Sequence, residues 1–224
     1  MQEPNFVHDS QVELIGFMGG DDSVVRSATV SFNNDNKEIS DERRRGLIRF
    51  LYRNRHSTPF EHSVFTFHIS TPIFVAREFH RHRTASYSEL SMRYATPENM
   101  EFYIPPDDRP LIQQGKPGDY YFVEGSYDQQ RLVEGDIKRE TSRALQAYNR
   151  MLDAGVAREV ARQALPQNFM TRFYATMNAR NLMHFLGLRN DPTALYEIRR
   201  VAEQMEEFLA EKMPVTYEAY KETE

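Results

Sequence analysis

The sequence has 224 residues, enough for one large domain or two tightly fused ones. Hydrophobic residues make up 40% of it, which excludes a wholly disordered chain, and the formal net charge of −5 excludes a protein that is basic throughout. There is no cysteine, which excludes disulfides, thiolate metal sites and a cysteine nucleophile.

The N-terminal region predicts a strand followed by two helices. Gln11–Met18 alternates as a strand does, and Asp21 or Asp22 is expected to cap a short helix after it. A second helix is predicted to start at Ser40 or Asp41, because apolar residues recur at helical spacing behind this polar pair.

The next segment predicts a helical turn, a strand and another helix. Thr58 and Glu61 have the spacing of a capping box, and Pro59 lies at the tolerated first helical position. Residues 64–70 have the composition of a strand. We expect a helix over residues 71–83, with its basic residues at the C-terminus, where the helix dipole favours cations.

The second half of the chain is dominated by helices. The predicted elements are a long loop or lid over 104–122, helices over 127–152 and 156–164, a strand over 169–177, a helix over 178–188 and a final helix capped by Asp191-Pro192. The pattern predicts an α/β (α+β) fold: one compact domain over 1–224, with a mixed sheet and surrounding helices.

Arginine supplies 23 of the 28 basic residues, although either basic residue would serve solubility. Planar recognition of phosphate or carboxylate favours the guanidinium group. Seven arginines and five of the seven histidines fall between residues 49 and 93, where there are only three acidic residues. We therefore expect the chemistry of the protein to involve this segment.

Four ordered motifs resemble the flavin-dependent thymidylate synthase family. The signature is Arg81-His82-Arg83, seven further residues, and then Ser91-Met92-Arg93-Tyr94. The other three resembling segments are residues 56–62 (HSTPFEH), residues 162–166 (RQALP) and residues 178–189 (NARNLMHFLGLR). The resemblance extends over about residues 24–220 and is much more specific than an isolated basic tripeptide.

The resemblance implies a methyltransferase that converts dUMP to dTMP. The expected carbon donor is methylenetetrahydrofolate, which is released as tetrahydrofolate, and the expected hydride source is FAD reduced by NADPH. The family fold is α/β and assembles as a homotetramer with sites shared between subunits. It differs from the thymidylate synthase that attacks uracil with a cysteine, and the absence of cysteine here agrees with that difference.

The resemblance also assigns roles to individual residues. Arg189 is the expected catalytic residue, because it holds the uracil edge and stabilises negative charge across N3 and O4 as C5 becomes nucleophilic. The expected FAD contacts are His56, Thr58, Arg81, His82, Arg83, Glu89, Asn178, Arg180 and His184. The expected dUMP contacts are Glu78, Arg81, Glu89, Leu90, Ser91, Met92, Arg93, Arg162 and Arg189.

Two other classes of function remain possible on the residues alone. A metal-dependent hydrolase could use the histidines, but their spacing matches no helical metal-binding pair and acidic partners are sparse. An arginine-rich RNA- or nucleotide-binding module without catalysis is the main alternative, although the negative net charge argues against a broad phosphate-binding face. We expect neither a metal nor a nucleic-acid partner.

A cytoplasmic location is also expected. No apolar run approaches the roughly 20 residues of a membrane-spanning helix, and the first residues do not resemble a signal peptide. The sequence therefore predicts no membrane partner, and only small-molecule ligands and further copies of the chain.

Overall fold

The computed structural model of the chain describes residues 3–30, 39–94, 99–116 and 118–223. The strands are β1 (Asn5–Val7), β2 (Gln11–Met18), β3 (Val64–Pro72), β4 (Ser86–Glu89), β5 (Glu101–Tyr103), β6 (Ile112–Lys116), β7 (Asp119–Val123) and β8 (Met170–Asn178). The helices are α1 (Asp21–Thr29), α2 (Asp41–Arg53), α3 (Ile73–Phe79), α4 (Tyr127–Asp153), α5 (Arg158–Ala161), α6 (Ala179–Arg189), α7 (Tyr196–Lys212) and α8 (Pro214–Lys221), with 3₁₀ turns at Thr58–His62 and Arg162–Ala164. In the part of the chain described, no helix has the length and apolar character needed to cross a lipid bilayer.

The largest sheet has four strands in the order β2-β3-β8-β4. Phe65, Phe67 and Ile69 alternate along β3 and are fully buried, as the period of two predicts. The Phe67 ring packs against Phe65 and against Phe208 of α7, with ring centroids 5.8 and 6.1 Å apart. The mixed helix and sheet class is therefore confirmed.

The described chain forms two compact units whose segments alternate along the sequence. Unit 1 contains Met1–Ser10, Ser70–His80 and Glu89–Phe173, and unit 2 contains Gln11–Ile69, Arg81–Ser88 and Tyr174–Glu224. The extent of the predicted domain over residues 1–224 stays a prediction.

Unit 1 has its own apolar cluster, to which the long helix α4 contributes Leu145 and Tyr148. The buried members are Met92, Met100, Phe102, Leu145, Tyr148, Ala161 and Phe169. Strand β1 pairs in parallel with β5, and β6 pairs antiparallel with β7. These pairings, together with α4, account for most of the regular structure of this unit.

The predicted loop over 104–122 is partly wrong, because it contains the β6–β7 hairpin. Its glycines belong to the turn rather than to an irregular loop: the φ angles of Gly115 and Gly118 are 94° and 87°. A Cβ on Gly115 would lie 2.1 Å from the carbonyl oxygen of Asp119, so only glycine fits there. Closure of this hairpin over a ligand stays a prediction.

Unit 2 joins residues near both ends of the chain through Asp21. Gly20, with a φ of 122°, is the N-cap of α1, so the prediction that Asp21 or Asp22 caps this helix is wrong. The Asp21 carboxylate instead accepts hydrogen bonds from the backbone N–H groups of Val215 and Thr216 at 2.9 and 3.0 Å, and from the Thr216 hydroxyl at 2.6 Å. Asp21 therefore caps α8, since these N–H groups lie in its first turn and have no partner within the helix.

Replacing Asp21 with alanine should lower the free energy of unfolding by about 1–2 kcal/mol, because α8 loses its cap. Asp22→Ala is the matched control: Asp22 is exposed and, among the described residues, pairs with Arg44 alone, at 3.1 Å, so its loss should cost at most about 0.5 kcal/mol. Chemical denaturation followed by circular dichroism measures both. Equal losses in the two variants would contradict the assigned role of Asp21.

Two further predicted helix caps are wrong because the carboxylate expected to cap the helix forms a different interaction. The 3₁₀ turn Thr58–His62 has Ser57 as its N-cap without a side-chain bond, and Glu61 pairs with Arg180 instead of closing a capping box. Asp191 accepts from the backbone N–H of Thr193 at 2.7 Å in a turn that precedes α7, whose N-cap is Leu195. In both cases another donor holds the carboxylate.

The remaining differences concern short elements. Helix α3 ends at Phe79, so the basic tripeptide predicted inside its C-terminus lies beyond the helix. The strands β1, β4 and β5 have three or four residues each and were not predicted. So short a strand offers too few residues for a period of two to be visible. Helix α8 was not separated from α7, although Pro214 begins it.

Candidate active site

The sequence-predicted site residues fall into two groups, one in each unit. Unit 2 holds the residues that we call the RHR group: His56, Thr58, Arg81, His82, Arg83, Asn178, Arg180, His184 and Arg189. Unit 1 holds the residues that we call the Ser91 group: Glu78, Glu89, Leu90, Ser91, Met92, Arg93 and Arg162. We describe each group separately.

The Arg81-His82-Arg83 segment leads from α3 into β4 and is held by bonds to its backbone. The Tyr87 hydroxyl donates to the His82 carbonyl oxygen at 2.7 Å, and burial raises the pKa of Tyr87 to about 12, so the hydroxyl stays a neutral donor. The Asn181 side-chain amide donates to the Thr84 carbonyl oxygen at 2.9 Å. Residues 82–84 are therefore fixed against α6.

His82 and Arg189 are joined by a side-chain hydrogen bond in unit 2. The Nε–H group of Arg189 donates to Nε2 of His82 at 2.9 Å. The pKa of His82 is lowered to about 4, mainly by burial and then, in decreasing order of effect, by the charges of Arg189, His184 and Arg81. His82 is therefore neutral near pH 7, with Nε2 as acceptor and the proton on Nδ1.

The imidazole of His82 is also held by packing. Its ring lies edge-on to the ring of Phe185, with a centroid distance of 4.8 Å and an interplanar angle of 73°. Phe185 is buried on α6, four residues before Arg189. Helix α6 therefore holds both the ring that orients His82 and the guanidinium that His82 accepts from.

Helix α6 separates the two ends of the C-terminal motif. Asn178 is its N-cap, with Oδ1 accepting from the Asn181 N–H at 2.9 Å, and Arg189 is its last residue. Eleven helical residues extend about 16 Å, so the two motif ends can reach different parts of a large ligand. Asn178 therefore has a structural role that is independent of any ligand.

A cavity of about 900 Å³ opens beside the exposed face of α6, within unit 2. Its walls are the end of α2, the segment that follows it, α6 with the residues after it, and the end of α8. His56, Arg180 and His184 of the RHR group line it. The helical spacing of Arg180, His184 and Gly187 explains why one face of α6 forms a wall.

The other members of the RHR group differ in their surroundings. Arg81 and Arg83 are exposed, and no ion pair joins either to any residue that the structure describes. Arg180 forms an ion pair with Glu61, and Thr58 is exposed at the start of its 3₁₀ turn. Arg81 and Arg83 thus leave two guanidinium groups available for an anionic ligand.

Two further arginines that line the cavity, Arg53 and Arg55, were not predicted as site residues from the sequence. The run Arg53-Asn54-Arg55-His56 directly before the second motif was the available signal, since it adds two cations to a predicted contact. This run does not by itself indicate a binding site, because basic residues are common at the ends of helices.

In unit 1, the Ser91 group has side chains in three different environments. Met92 is buried in the apolar cluster, so only its backbone can reach a ligand. Arg93 pairs with Glu159 at 3.0 Å, and Glu89 accepts from the Thr171 hydroxyl at 2.6 Å. Arg162 is exposed at the start of its 3₁₀ turn, and among the described residues no ion pair involves it.

Across the described ranges, no three histidine, aspartate or glutamate side chains come together as a metal site.

Comparison with known proteins identifies relatives over nearly the whole chain. Residues 13–215 match the family model described as thymidylate synthase complementing protein. The flavin-dependent thymidylate synthase of Streptomyces avermitilis is 46% identical, covering 97% of this chain and 93% of that protein. The enzyme of the same name from Thermotoga neapolitana is also 46% identical, covering 93% and 89%.

A solved structure is similarly close. The UMP/dUMP methylase PolB from Streptomyces cacaoi, bound with 5-Br UMP, superposes with a TM-score of 0.90 at 43% identity. The alignment covers 98% of this chain and 97% of that one. The same methylase bound with 5-Br dUMP gives a TM-score of 0.90 at 44% identity.

Proposed function

This chain belongs to the family of flavin-dependent thymidylate synthases, and we propose from that premise that it is a methyltransferase that converts dUMP to dTMP. The observation that carries the proposal is the match over residues 13–215, together with identities of 46% over nearly the whole chain. The two residue groups described above supply the expected chemical features, namely unpaired guanidinium groups and an oriented arginine.

The proposed reaction consumes one molecule each of dUMP, methylenetetrahydrofolate and NADPH, together with a proton. It yields dTMP, tetrahydrofolate and NADP⁺. The methyl carbon that is added to C5 of uracil comes from the folate, and the reducing equivalents come from NADPH. Without a cysteine, no thiolate can add to the uracil ring. Activation of C5 must then come from electrostatic stabilisation of the ring.

We propose that the RHR group binds FAD. The cavity is at the large end of small-molecule sites, and His56, Arg180 and His184 line it. Arg81 and Arg83 are not among the residues that line this cavity, but they are two further exposed cations of unit 2 suited to the phosphates of a dinucleotide. When bound, the flavin supplies the redox chemistry, and the protein residues hold it and exclude water.

Arg189 is the proposed catalytic residue. A guanidinium has five N–H donors in a fixed plane, and the bond to His82 engages the one on Nε. We propose that this bond orients the guanidinium towards N3 and O4 of uracil, where its charge stabilises the negative charge that develops on the ring. His82 is the positioning residue in this arrangement.

The Ser91 group is the proposed nucleotide-binding part of unit 1. Phosphate oxygens accept from arginine forks, hydroxyls and backbone N–H groups, and Ser91, Arg93 and Arg162 provide the first two kinds of donor. The Ser91 hydroxyl already accepts from the Arg93 backbone N–H at 3.4 Å, so it lies in a turn whose donors can share one anion. Glu78, Glu89 and Leu90 remain proposed contacts.

A second substrate is favoured by one observation. PolB is named a UMP/dUMP methylase and is similar in structure over 98% of this chain. Methylation of UMP by this protein is therefore a candidate activity beside that of dUMP. The alternative of an RNA-binding module without catalysis has no such support, because the relatives are named as enzymes.

The assembly and location follow the family expectation. We propose a homotetramer with sites shared between subunits, working in the cytoplasm with small-molecule substrates. Light scattering of the purified protein tests the assembly, and a fully active monomer of 26.3 kDa would contradict it.

The test of the proposed function is turnover by the purified protein. The protein is incubated with methylenetetrahydrofolate, NADPH and either dUMP or UMP, and the methylated nucleotide is measured by chromatography. We expect flavin absorbance in the protein and formation of dTMP. A protein that binds no flavin and forms no dTMP would contradict the proposal.

A further inference from the structure

Arg55 has an unusual backbone conformation at the end of α2. It is the one non-glycine residue in the described ranges with a positive φ, 58°. Its N–H donates to the Tyr52 carbonyl oxygen at 3.0 Å, and the His56 N–H donates to the Leu51 carbonyl oxygen at 2.8 Å. This is a Schellman motif, in which Arg55 occupies the position that normally selects glycine.

An arginine in this position is less stable than a glycine would be. The left-handed conformation brings Cβ close to the following carbonyl oxygen, which is unfavourable for every residue except glycine. Strained residues of this kind persist where the site has another use for the side chain.

The Arg55 guanidinium gains no ion pair that would offset this strain. Three arginines earlier on α2 each pair with a carboxylate, namely Arg44, Arg45 and Arg49. Arg53 and Arg55 are exposed, and no described residue forms an ion pair or side-chain hydrogen bond with either. Both line the cavity of unit 2.

The walls of the cavity have an excess of positive charge near Arg55. Their cationic side chains are Arg53, Arg55, Arg180 and Lys221, and their acidic side chain is Asp191. Glu61 pairs with Arg180, and Glu206 pairs with Lys221 at 3.2 Å. Arg53 and Arg55 are therefore the cavity-lining cations that have no acidic partner in the described part of the chain. A space of this size with two unpaired guanidinium groups is suited to an anionic ligand.

We propose that Arg55, together with Arg53, binds an oxyanion group, a phosphate or a carboxylate, of a ligand seated in this cavity. The inference rests on the proposed function for its list of ligands. FAD and NADPH carry phosphates, and tetrahydrofolate carries the carboxylates of its glutamate tail. The strained backbone is retained because the arginine side chain, which glycine lacks, contributes to binding.

The test compares three variants of Arg55 in the full-length protein. Arg55→Gly and Arg55→Asn remove the charge and suit the left-handed conformation, so neither should unfold the protein. Arg55→Lys keeps the charge but loses the planar fork. Calorimetric titrations measure the dissociation constants of FAD, NADPH, tetrahydrofolate and inorganic pyrophosphate for each variant and for the wild type.

We expect the glycine and asparagine variants to raise the dissociation constant of at least one of these ligands about tenfold, the usual effect of losing a charged hydrogen bond. The lysine variant should lose less affinity for that ligand than the uncharged variants do. The glycine variant should unfold at the wild-type temperature or above. A change for FAD or NADPH identifies a phosphate, and a change for tetrahydrofolate identifies a carboxylate.

Two outcomes would overturn the inference. In the first, both uncharged variants bind all four ligands with dissociation constants within twofold of the wild-type values. In the second, the wild type binds none of the four. Pyrophosphate separates this inference from the proposed function. It reports on the anion site whether or not the protein forms dTMP. Turnover without an effect of Arg55 on any ligand would leave the proposed function intact and overturn only this inference.

Discussion

Replacing Arg189 with lysine should lower kcat/KM for dUMP by about one to two orders of magnitude, because a bidentate charged contact contributes about 1.5–3 kcal/mol. Lysine keeps the charge at the end of α6 but has neither the planar fork nor the Nε–H that His82 accepts from. Both the orientation of the cation and its contact with uracil should therefore be lost. Steady-state kinetics with varied dUMP at saturating folate and NADPH measure the change.

A matched control is Arg143→Lys, on an exposed face of α4, where the guanidinium pairs with Glu140 at 2.9 Å and with no other residue that the structure describes. That variant should keep wild-type kinetics. Unchanged kinetics of the Arg189 variant as well would show that Arg189 does not touch the uracil ring.

Replacing His82 with leucine should lower kcat/KM for dUMP about tenfold or more, because Arg189 loses the acceptor that orients it. His82→Gln should restore most of the activity, since its side-chain oxygen can accept from Arg189. The decisive measurement is the double variant with Arg189→Lys. If His82 acts through Arg189, its replacement should have little further effect there, whereas additive losses would show an independent role.

The pH dependence supplies a second measurement of His82. Its folded-state pKa of about 4 lies below the ordinary value of 6.5, so the ring is neutral above about pH 5 and the bond to Arg189 is complete there. Protonation would remove the acceptor only as the pH falls through 4. The pH profiles of kcat/KM for dUMP should therefore have the same shape between pH 5 and 7 in the wild type and in His82→Gln. A limb near pH 6.5 that disappears in His82→Gln would contradict this assignment.

The elements that could be predicted from the sequence are those with a long periodic pattern. Helix α4 was predicted over 127–152 and is observed as Tyr127–Asp153, and β8 was predicted within one residue. These elements present a repeated apolar face to the core, and that repetition is visible in the sequence. The motif segments could likewise be recognised because they are local.

The parts that could not be predicted depend on partners far away in the sequence. Aspartate is a residue type that often caps helices, but the N–H groups that donate to Asp21 belong to residues 194 and 195 positions further along the chain. The bond between His82 and Arg189 joins residues 107 positions apart. No local pattern distinguishes a carboxylate or an imidazole used nearby from one used across the fold.

The interleaving of unit 2 has a consequence for synthesis on the ribosome. Its N-terminal part, Gln11–Ile69, packs with Tyr174–Glu224, and the Val12 N–H already depends on the Gln204 side chain, 3.0 Å away. Translation therefore exposes β2, α1 and α2 long before their partners exist, and this unit can fold only after the segment from Tyr174 onwards has been synthesised. Because Tyr220 and Lys221 form part of the cavity wall, a nascent chain cannot form the complete ligand cavity until these two residues have emerged from the ribosome.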